Sequence, residues 1–485
     1  MTRKRGKANH FIGGKSLMSI KYGIKRLFKP LAEFMRKVTY KLMRNVICDL
    51  EETIRFSSGG NENDYLIPYQ EGELIRVLFL FQAASFWPSW ESFYLACKDD
   101  PRIRVEFTLL DELYGDTTQM LTAQQFLKEK GIAYTPYSDK LFCQFMPHIT
   151  VMQTPYDFGH RRPHVRSAAF KKKGTRIIYI PYGIELSDTA HARDAHFLNA
   201  VVKNAWRVFT FSESIRADYR RYSTNYAAVK CLGHPKFDAL YHKEQFSQLP
   251  EIAQRAKGRK ILVWHVHFPK ITPQPDGTGI MVTPELPVYL RFARYLASKQ
   301  DEIFAVLLPH PKFLDGEGEL GVHAKKLVDM LGEMENAYID WSDDYRPTIL
   351  HGDFLITDRS ALMVEADVTG YPILFMANKD YYEPLTDAVQ PIIDSYYQGL
   401  TTEDMIAFTE QCLRGEDPRK AERRAAFESH IPYFDGQSGQ RIKEHVVNAI
   451  YAEQTGLDAA RIAALEAEVA ALNSRLDRLL EEHGQ

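Results

Sequence analysis

The segment from Asp353 to Glu365 carries polar side chains in the order expected of an anion site. It reads Asp-Phe-Leu-Ile-Thr-Asp-Arg-Ser-Ala-Leu-Met-Val-Glu, which predicts an apolar strand, a polar turn and then a helix. In a parallel α/β sheet such a turn lies where the backbone N–H groups of the next helix can bind phosphate. Ser360 could add a hydroxyl donor, and Glu365 could accept from ribose hydroxyls. The alternative is simple helix capping by Asp358 or Ser360.

A second group of candidates follows two other apolar runs. His310 and Lys312 come directly after the run at 303–308. An imidazolium and an ammonium at the same sheet edge would suit a leaving diphosphate. His265 and His267 end the run that begins at residue 260, and at least one should face this edge because extended chains alternate sides. A metal site on these two histidines needs further ligands, and none can be assigned from the sequence.

The elements that must position these residues alternate in type along the chain. Strands are predicted at 76–81, 104–109, 148–152, 176–180 and 207–211, then at 260–264, 303–308, 337–340, 354–357 and 372–376. Helices are predicted at 88–98, 122–130 and 436–451, and the last either closes the second half or crosses back to the first. This α/β pattern predicts two Rossmann-like domains, at 72–244 and 258–453.

Length and composition are consistent with this division. A chain of 485 residues with 45% hydrophobic content can bury two cores of ordinary size. Its five cysteines are odd in number and widely scattered, which favours a reduced, cytosolic compartment. No run approaches the ~20 apolar residues that span a bilayer, and no secretory signal follows the basic N-terminus. We therefore expect a protein that is neither exported nor integral to a membrane.

Residues 1–56 form a basic amphipathic segment. Although the chain has a net charge of −2, residues 1–44 hold 13 lysines and arginines against one acid, Glu33. Apolar residues recur there at steps of three and four, which predicts helices that lie on an anionic membrane surface. Alternatively the apolar stripe packs on the body of the protein. Nucleic-acid binding is disfavoured because no aromatic platform accompanies the charge.

Residues 456–482 have the pattern of a short coiled coil. Apolar residues alternate steps of three and four, with Arg and Glu between them, at Ile462, Leu465, Val469, Leu472, Leu476 and Leu479. We expect a homo-oligomer through this helix. The alternative is a lone helix that folds back on the protein.

Several enzyme classes lack their sequence signatures. The first half contains no Asp-x-Asp motif, so a metal-chelating sugar-nucleotide site of that type is unsupported. There is also no Walker loop, Gly-rich dinucleotide fingerprint or serine nucleophile elbow. These absences disfavour kinases, dehydrogenases and hydrolases.

Residues 76–451 resemble the CDP-glycerol glycerophosphotransferase family, whose enzymes prime and polymerise teichoic acids and related capsular polymers. The family's Thr-Asp-Tyr-Ser-Ser-type turn, with an acid seven residues after its aspartate, is matched by Thr357, Asp358, Ser360 and Glu365. A family histidine in the pyrophosphate site corresponds to His310. The segments Leu232-Gly-His-Pro-Lys-Phe-Asp238 and Phe86-Trp-Pro-Ser-Trp-Glu91 are also similar. The resemblance implies a GT-B-like fold, with two Rossmann-like domains facing a cleft.

Two positions depart from the family pattern. Ala361 stands for the second serine of the turn, which removes a hydroxyl donor but leaves the backbone N–H. Tyr182 stands where the family has the histidine expected to be the general base, and a tyrosine of ordinary pKa is a poor base at neutral pH. Either Glu185, His265 or His267 takes that role, or the acceptor and the reaction differ from those of the type enzymes.

The resemblance implies transfer of glycerol phosphate, or a similar polyol phosphate, from a CDP-linked donor to a lipid-linked or glycan acceptor, with release of CMP. Donor binding is expected from His265, His310, Lys312, Thr357, Asp358, Arg359, Ser360, Ala361 and Glu365, and catalysis from His310, His267, Glu185 and Tyr182. No separate cofactor, metal or nucleic acid is expected. The expected location is the inner face of the cell membrane, in a cytoplasmic, peripheral protein. The alternatives are a nucleotide-sugar glycosyltransferase and a catalytically silent membrane-associated scaffold.

Overall fold

The computed structural model describes residues 66–110, 117–158, 161–273, 279–316 and 318–456. All described residues belong to a single compact unit. The predicted basic segment 1–56 and the predicted coiled coil beyond residue 456 lie outside the described residues. None of the helices in the described ranges has the length and apolar character needed to cross a membrane.

The first half of the described chain forms a seven-stranded parallel sheet. The strands are β1 Ile75–Phe81, β2 Ile103–Leu109, β3 Thr135–Pro136, β4 Ile149–Met152, β5 Arg176–Tyr179, β6 Arg207–Thr210 and β7 Val229–Cys231. Their order is β3-β2-β1-β4-β5-β6-β7. The order reverses beside β1, as it does in a doubly wound Rossmann-like domain.

The second half forms a parallel sheet with six strands among the described residues. They are β8 Lys260–Val266, β11 Ile303–Pro309, β12 Ala337–Ile339, β13 Phe354–Thr357, β14 Ile373–Met376 and β15 Tyr397–Gly399, with a small hairpin of β9 Ile271–Pro273 and β10 Gly279–Met281. The sheet order is β12-β11-β8-β13-β14-β15. The carboxyl ends of β12, β11, β8 and β13 therefore lie side by side at one edge.

Helices connect the strands throughout. In the first half the α-helices are Glu91–Lys98, Thr117–Glu129, Asp139–Phe145, Ser167–Lys172, Ala190–His196, Ala200–Asn204, Glu213–Tyr222 and Pro235–Tyr241. In the second they are Pro250–Ala256, Leu286–Ser298, Gly318–Gly332, Arg346–Leu350, Leu362–Glu365, Gln390–Asp394, Thr402–Leu413 and Lys420–His430, and a further helix occupies residues 438–456.

Side chains on the strands alternate between two faces, and in the central strands β1, β4, β8 and β11 nearly all of them are buried. In β1, Val77 and Phe79 enter one apolar cluster, whereas Leu78 enters another. In β8, Val263 joins the same cluster as Leu78, and Trp264 joins a third. One apolar cluster is therefore shared by the two sheets. Because both faces of these strands are buried, the strands read as continuous apolar runs in the sequence.

The helix at 438–456 packs against the first sheet. Its apolar residues Ile442, Val446 and Val447 belong to the cluster on the outer face of β1. The chain thus crosses back to the first half, one of the two arrangements considered from the sequence. Asp238 holds the start of this helix, because its carboxylate accepts from the backbone N–H groups at 438 and 439 at 2.9 and 2.7 Å. The family-like segment 232–238 therefore joins the two halves of the chain.

Most predicted strands are confirmed within a residue or two, and the differences have local causes. The short strands β3, β7 and β15 have two or three residues each, too few to show a periodicity. The helix predicted at 88–98 is a 3₁₀-helix, Ala84–Ser89, followed by the α-helix Glu91–Lys98. Pro88 has no backbone N–H to donate, so a continuous α-helix does not extend through it.

Candidate active site

The parallel register brings the predicted histidines to one edge of the second sheet. Leu308 of β11 pairs with His265 of β8, and Pro309 pairs with Val266. The backbone N–H of His310 donates to the Val266 carbonyl at 2.8 Å, which fixes the end of β11 against the end of β8. His310 and His267 each follow the last residue of their strand, so they become neighbours.

His310 has one ring nitrogen committed to the backbone. The N–H of Lys312 donates to its Nδ1 at 3.0 Å, so Nδ1 must be an acceptor and Nε2 carries the proton. Burial, with the neighbouring His267 and Lys312, lowers the pKa of His310 to about 3. The ring is therefore a neutral donor through Nε2–H at neutral pH, and not the imidazolium expected from the sequence.

His267 has the opposite arrangement. Its Nδ1 lies 2.9 Å from the carbonyl oxygen of Phe268, which can only accept, so Nδ1 carries the proton and Nε2 is an acceptor. Burial is the main cause that lowers the pKa of His267 to about 4. The two rings lie 4.6 Å apart between centroids. This edge of the sheet therefore combines a neutral N–H donor with a neutral basic nitrogen.

His265 and Thr357 lie in the layer beneath this pair. The Nδ1 atom of His265 is 3.2 Å from the hydroxyl oxygen of Thr357, and both residues are buried. Burial holds the pKa of His265 well below its usual value. These two residues contact each other at the ends of the adjacent strands β8 and β13. The contact helps to fix the residues that follow these strands.

Asp358 supports the His267 loop from inside the fold. Its carboxylate accepts from the backbone N–H of His267 at 2.9 Å and from the hydroxyl of Tyr289 at 2.8 Å. The side chain is fully buried, and burial raises its pKa to about 7 despite both hydrogen bonds. Asp358 therefore fixes the backbone that carries His267, whereas the sequence assigned it to the donor itself.

The turn after β13 differs from the helix start that was predicted. Leu362–Glu365 is only four residues long and continues as the 3₁₀-helix Ala366–Thr369, which ends at Gly370 in the left-handed region. Such a short helix contributes little dipole. The Ser360 hydroxyl oxygen accepts from the Leu362 N–H at 3.1 Å, so it stabilises the turn as in the capping alternative. The expected roles of its own O–H and of the Ala361 N–H toward an anion stay predictions.

Glu365 binds a lysine of the first half of the chain. Its Oε1 accepts from Lys236 Nζ at 2.6 Å, and its Oε2 accepts from the hydroxyl of Tyr345. The carboxylate and the ammonium are both buried, at 2% and 7% exposure of their side chains. Both oxygens of Glu365 are thus engaged within the fold, and its role at a ribose stays a prediction.

Arg359 makes a second contact between the halves. Its guanidinium forms an ion pair with Glu383 and donates to the hydroxyl of Ser187. Lys270 Nζ lies 3.8 Å from another oxygen of Glu383, and burial is the main cause that lowers the pKa of this lysine. Two cationic side chains therefore share one carboxylate beside the His267 loop.

The two candidates from the first half follow β5, where Tyr182 is half-buried and Glu185 is buried. The Tyr182 hydroxyl is 2.6 Å from that of Tyr156, and burial raises its pKa well above the usual value. The Glu185 carboxylate accepts from the Tyr219 hydroxyl at 3.0 Å, and burial raises its pKa to about 7. Each side chain is hydrogen-bonded to a tyrosine of the first half, and its role as a base stays a prediction.

Sequence reasoning missed Lys236, Lys270, Tyr289 and Glu383. Lys236 was within reach, because it lies in the family-like segment 232–238, but its partner is 129 residues away. The other three have no local pattern that separates them from surface or core residues. In the described ranges, no group of three or more His, Cys, Asp or Glu side chains is arranged to hold a metal ion.

A sequence model of one protein family matches this chain. The family is described as CDP-Glycerol:Poly(glycerophosphate) glycerophosphotransferase, and the match covers residues 187–448, more than half of the chain. It includes His265, His267, His310 and the whole turn at 357–365, and it begins after Tyr182 and Glu185. No curated protein sequence matches the chain significantly.

Solved structures share the fold at low sequence identity. The wall teichoic acid polymerase TagF matches with a TM-score of 0.51 and 13% identity, over 87% of this chain and 98% of that one. A putative UDP-N-acetylglucosamine 2-epimerase from Listeria monocytogenes has a TM-score of 0.56 and 14% identity, over 78% and 96%. MnaA of S. aureus, solved with UDP, has a TM-score of 0.56 and 13% identity, over 79% and 98%. These similarities confirm a GT-B-like arrangement of two parallel-sheet domains.

Proposed function

Since this chain belongs to the CDP-glycerol:poly(glycerophosphate) glycerophosphotransferase family, we propose that it transfers glycerol phosphate, or a closely similar polyol phosphate, to a hydroxyl of a lipid-linked or glycan acceptor. The acceptor oxygen attacks the β-phosphorus of the CDP-linked donor. The bond from that phosphorus to the bridging oxygen breaks, and CMP leaves with the bonding electrons. The reaction needs a base for the acceptor proton and donors for the charge that develops on the phosphates.

His310 is the proposed hydrogen-bond donor to the phosphates of the CDP-linked substrate. Its Nε2–H is directed by the bond from the Lys312 amide to Nδ1, so the ring needs no reorganisation to donate to a phosphate oxygen. Three further groups would stabilise the same negative charge on the phosphates: the hydroxyl of Ser360, the N–H of Ala361 and the ammonium of Lys312. A bound diphosphate would raise the pKa of His310 from about 3, because a nearby anion favours the protonated ring.

His267 is the proposed base. Its Nε2 is the acceptor nitrogen. The hydrogen bond that the His267 backbone N–H donates to Asp358 holds the residue beside His310. A pKa of about 4 is low for a general base, and the negative donor phosphates would raise it toward neutrality. Glu185 and Tyr182 are not used in this proposal, because the side chain of each is hydrogen-bonded to a tyrosine of the first half.

One observation carries the proposal. His267 and His310 are neighbouring neutral rings at the carboxyl edge of the second sheet, and the first offers an acceptor nitrogen while the second offers an N–H donor. The test is nucleotide release from a panel of CDP-glycerol, CDP-ribitol and UDP-sugars, with a glycan acceptor. We expect CMP from the CDP-polyols. His310→Ala should lower turnover by about 10² to 10³, the usual effect of removing one preorganised donor. His267→Gln should lower it by about 10² to 10⁴.

A matched control variant distinguishes these effects from the effect of removing a histidine elsewhere in the protein. His351 is half-buried and precedes β13, so it lies at the amino edge of the second sheet, opposite the edge that carries His310. His351→Ala should leave CMP release unchanged. Release of UDP from a sugar donor would instead support the glycosyltransferase alternative, and full activity of His310→Ala would remove this site from the reaction.

The membrane and oligomer parts of the proposal rest on the sequence. Residues 1–56 would hold the protein at the inner face of the cell membrane through their basic charge and apolar stripe. The helix predicted at 456–482 would make a homo-oligomer. Deleting residues 1–56 should abolish binding to vesicles with anionic lipid while turnover on a soluble acceptor continues. Unchanged vesicle binding would reject the anchor.

A further inference from the structure

Trp341 differs from the other tryptophans of the chain in its exposure. The chain has five tryptophans, and Trp87, Trp90 and Trp264 are at most 2% exposed. Trp206 is partly buried and donates from its indole N–H to Glu453 at 2.7 Å. Trp341 is 47% exposed. An indole left in water at this level has surface available for a ligand.

The strand register fixes where this indole is attached. Leu307 of β11 pairs with Ile339 of β12, and the N–H of Asp340 donates to the Leu307 carbonyl at 2.9 Å. Continuing this register places the backbone of Trp341 beside Pro309, one residue before His310. Neighbouring strands are about 4.8 Å apart. Trp341 therefore lies one strand beyond His310 at the carboxyl edge of the sheet, where ligands of this fold class bind.

The backbone around Trp341 is held by Asp340. This buried carboxylate accepts from the Ser342 N–H at 2.9 Å and from the hydroxyl of Thr348. The hydroxyl of Ser342 in turn donates to the Asp344 carbonyl at 3.1 Å. The exposed indole therefore projects from an ordered turn, which lowers the entropy lost when a flat ligand stacks on it.

We infer that Trp341 is the platform on which the cytosine base of the donor stacks. The inference rests on the proposed function: with the diphosphate at His310 and His267, the nucleoside extends along the edge from β11 toward β12. Base–aromatic stacking is the usual way in which an exposed indole binds a nucleobase. The other exposed aromatic near this edge, Tyr382, is a weaker candidate, because its hydroxyl accepts from Gln390 at 3.0 Å and its ring contacts Phe375.

The first test is a fluorescence titration of the full-length wild-type protein. Stacking of CMP should quench tryptophan emission, whereas ribose 5-phosphate and pyrophosphate, which have no base, should not. The quench should disappear in Trp341→Phe while calorimetry still detects CMP binding, since phenylalanine can stack. CMP binding by the wild type without any change in emission overturns the inference, and this result needs no variant.

The second test is kinetic. Trp341→Leu should raise KM for CDP-glycerol about tenfold or more, and Trp341→Phe should raise it less, with kcat preserved in both because the base lies away from the reacting phosphorus. An unchanged KM in Trp341→Leu overturns the inference while the proposed function stands. If the wild type binds neither CMP nor CDP-glycerol by calorimetry, the proposed function itself fails.

Discussion

Lys236 and Glu365 form a buried ion pair that joins the two halves of the protein, with Nζ and Oε1 separated by 2.6 Å. Lys236 is the second residue of the helix Pro235–Tyr241, which follows the first sheet, and Glu365 ends the short helix after the turn of the candidate site. The residue that the sequence assigned to ribose is thus bound to a lysine of the other half. The position of the turn consequently depends on the interface between the halves.

Breaking this pair should destabilise the protein strongly. Lys236→Ala leaves the Glu365 carboxylate buried without its cation, and the loss of one partner of a buried pair typically costs about 3 to 5 kcal/mol. The measurement is the melting temperature and the midpoint of urea unfolding. Combining Lys236→Met with Glu365→Gln should recover much of the loss, because neither residue then carries a charge. A single variant as stable as the wild type would mean that water reaches this site.

The Glu185 carboxyl should make stability fall as pH rises. Its pKa is about 7 in the folded protein, against an ordinary value of 4.5. The folded state therefore holds a proton that the unfolded state has lost, and this stabilisation disappears as pH rises from about 4.5 to 7. Glu185→Gln, which resembles the protonated form, should melt close to the wild type near pH 5 and above it at pH 8. Parallel melting curves across this range would contradict the prediction.

Asp358 should affect turnover through the backbone of His267. Asp358→Ala removes the acceptor for both the His267 amide and the Tyr289 hydroxyl, and each buried group left unpaired costs about 1 to 3 kcal/mol. We expect a lower melting temperature and a kcat reduced tenfold or more. The matched control is Tyr289→Phe, which removes one of the two bonds and leaves the His267 amide held. Equal loss of kcat in the two variants would show that His267 does not depend on this bond.

The crossing helix should not tolerate a side chain at Gly439. A Cβ there would lie 2.4 Å from the backbone carbon of Ser92 and 2.5 Å from the nitrogen of Phe93. Gly439→Ala should therefore displace the helix from the first sheet and lower the melting temperature by several degrees. Gly332 is the control, because a Cβ at that position would have 4.0 Å to its nearest neighbour. Gly332→Ala should be neutral or slightly stabilising, and a neutral Gly439→Ala would contradict this packing.

The sheets were predictable because their strands are buried on both faces. Runs such as 77–81 and 303–308 are apolar throughout, so local sequence alone identified them and the alternation into two domains. The shared edge of His265, His267 and His310 followed from the parallel order. Their tautomers did not, because these depend on the backbone groups of Lys312 and Phe268 that the loops bring to each ring.

The roles of the charged residues were the least predictable part of the site. Nothing near Glu365 or Arg359 in the sequence indicates Lys236 or Ser187 as a partner, since those contacts span 129 and 172 residues. Burial also removes the positive charge expected on His310, because desolvation is a property of the folded chain. A motif therefore identified which residues gather at the edge, and the long-range contacts determined what each of them binds.

The apolar cluster shared by the two sheets limits how this enzyme can open. Phe237 of the first half and Met363 of the second belong to one continuous core. A wide hinge rotation would bring that surface into water at about 25 cal/mol per Å². Nucleotide exchange is therefore expected to proceed through smaller movements of loops at the rim, without such a rotation. Turnover of this enzyme should be less sensitive to solvent viscosity than that of a relative whose halves swing apart as rigid bodies.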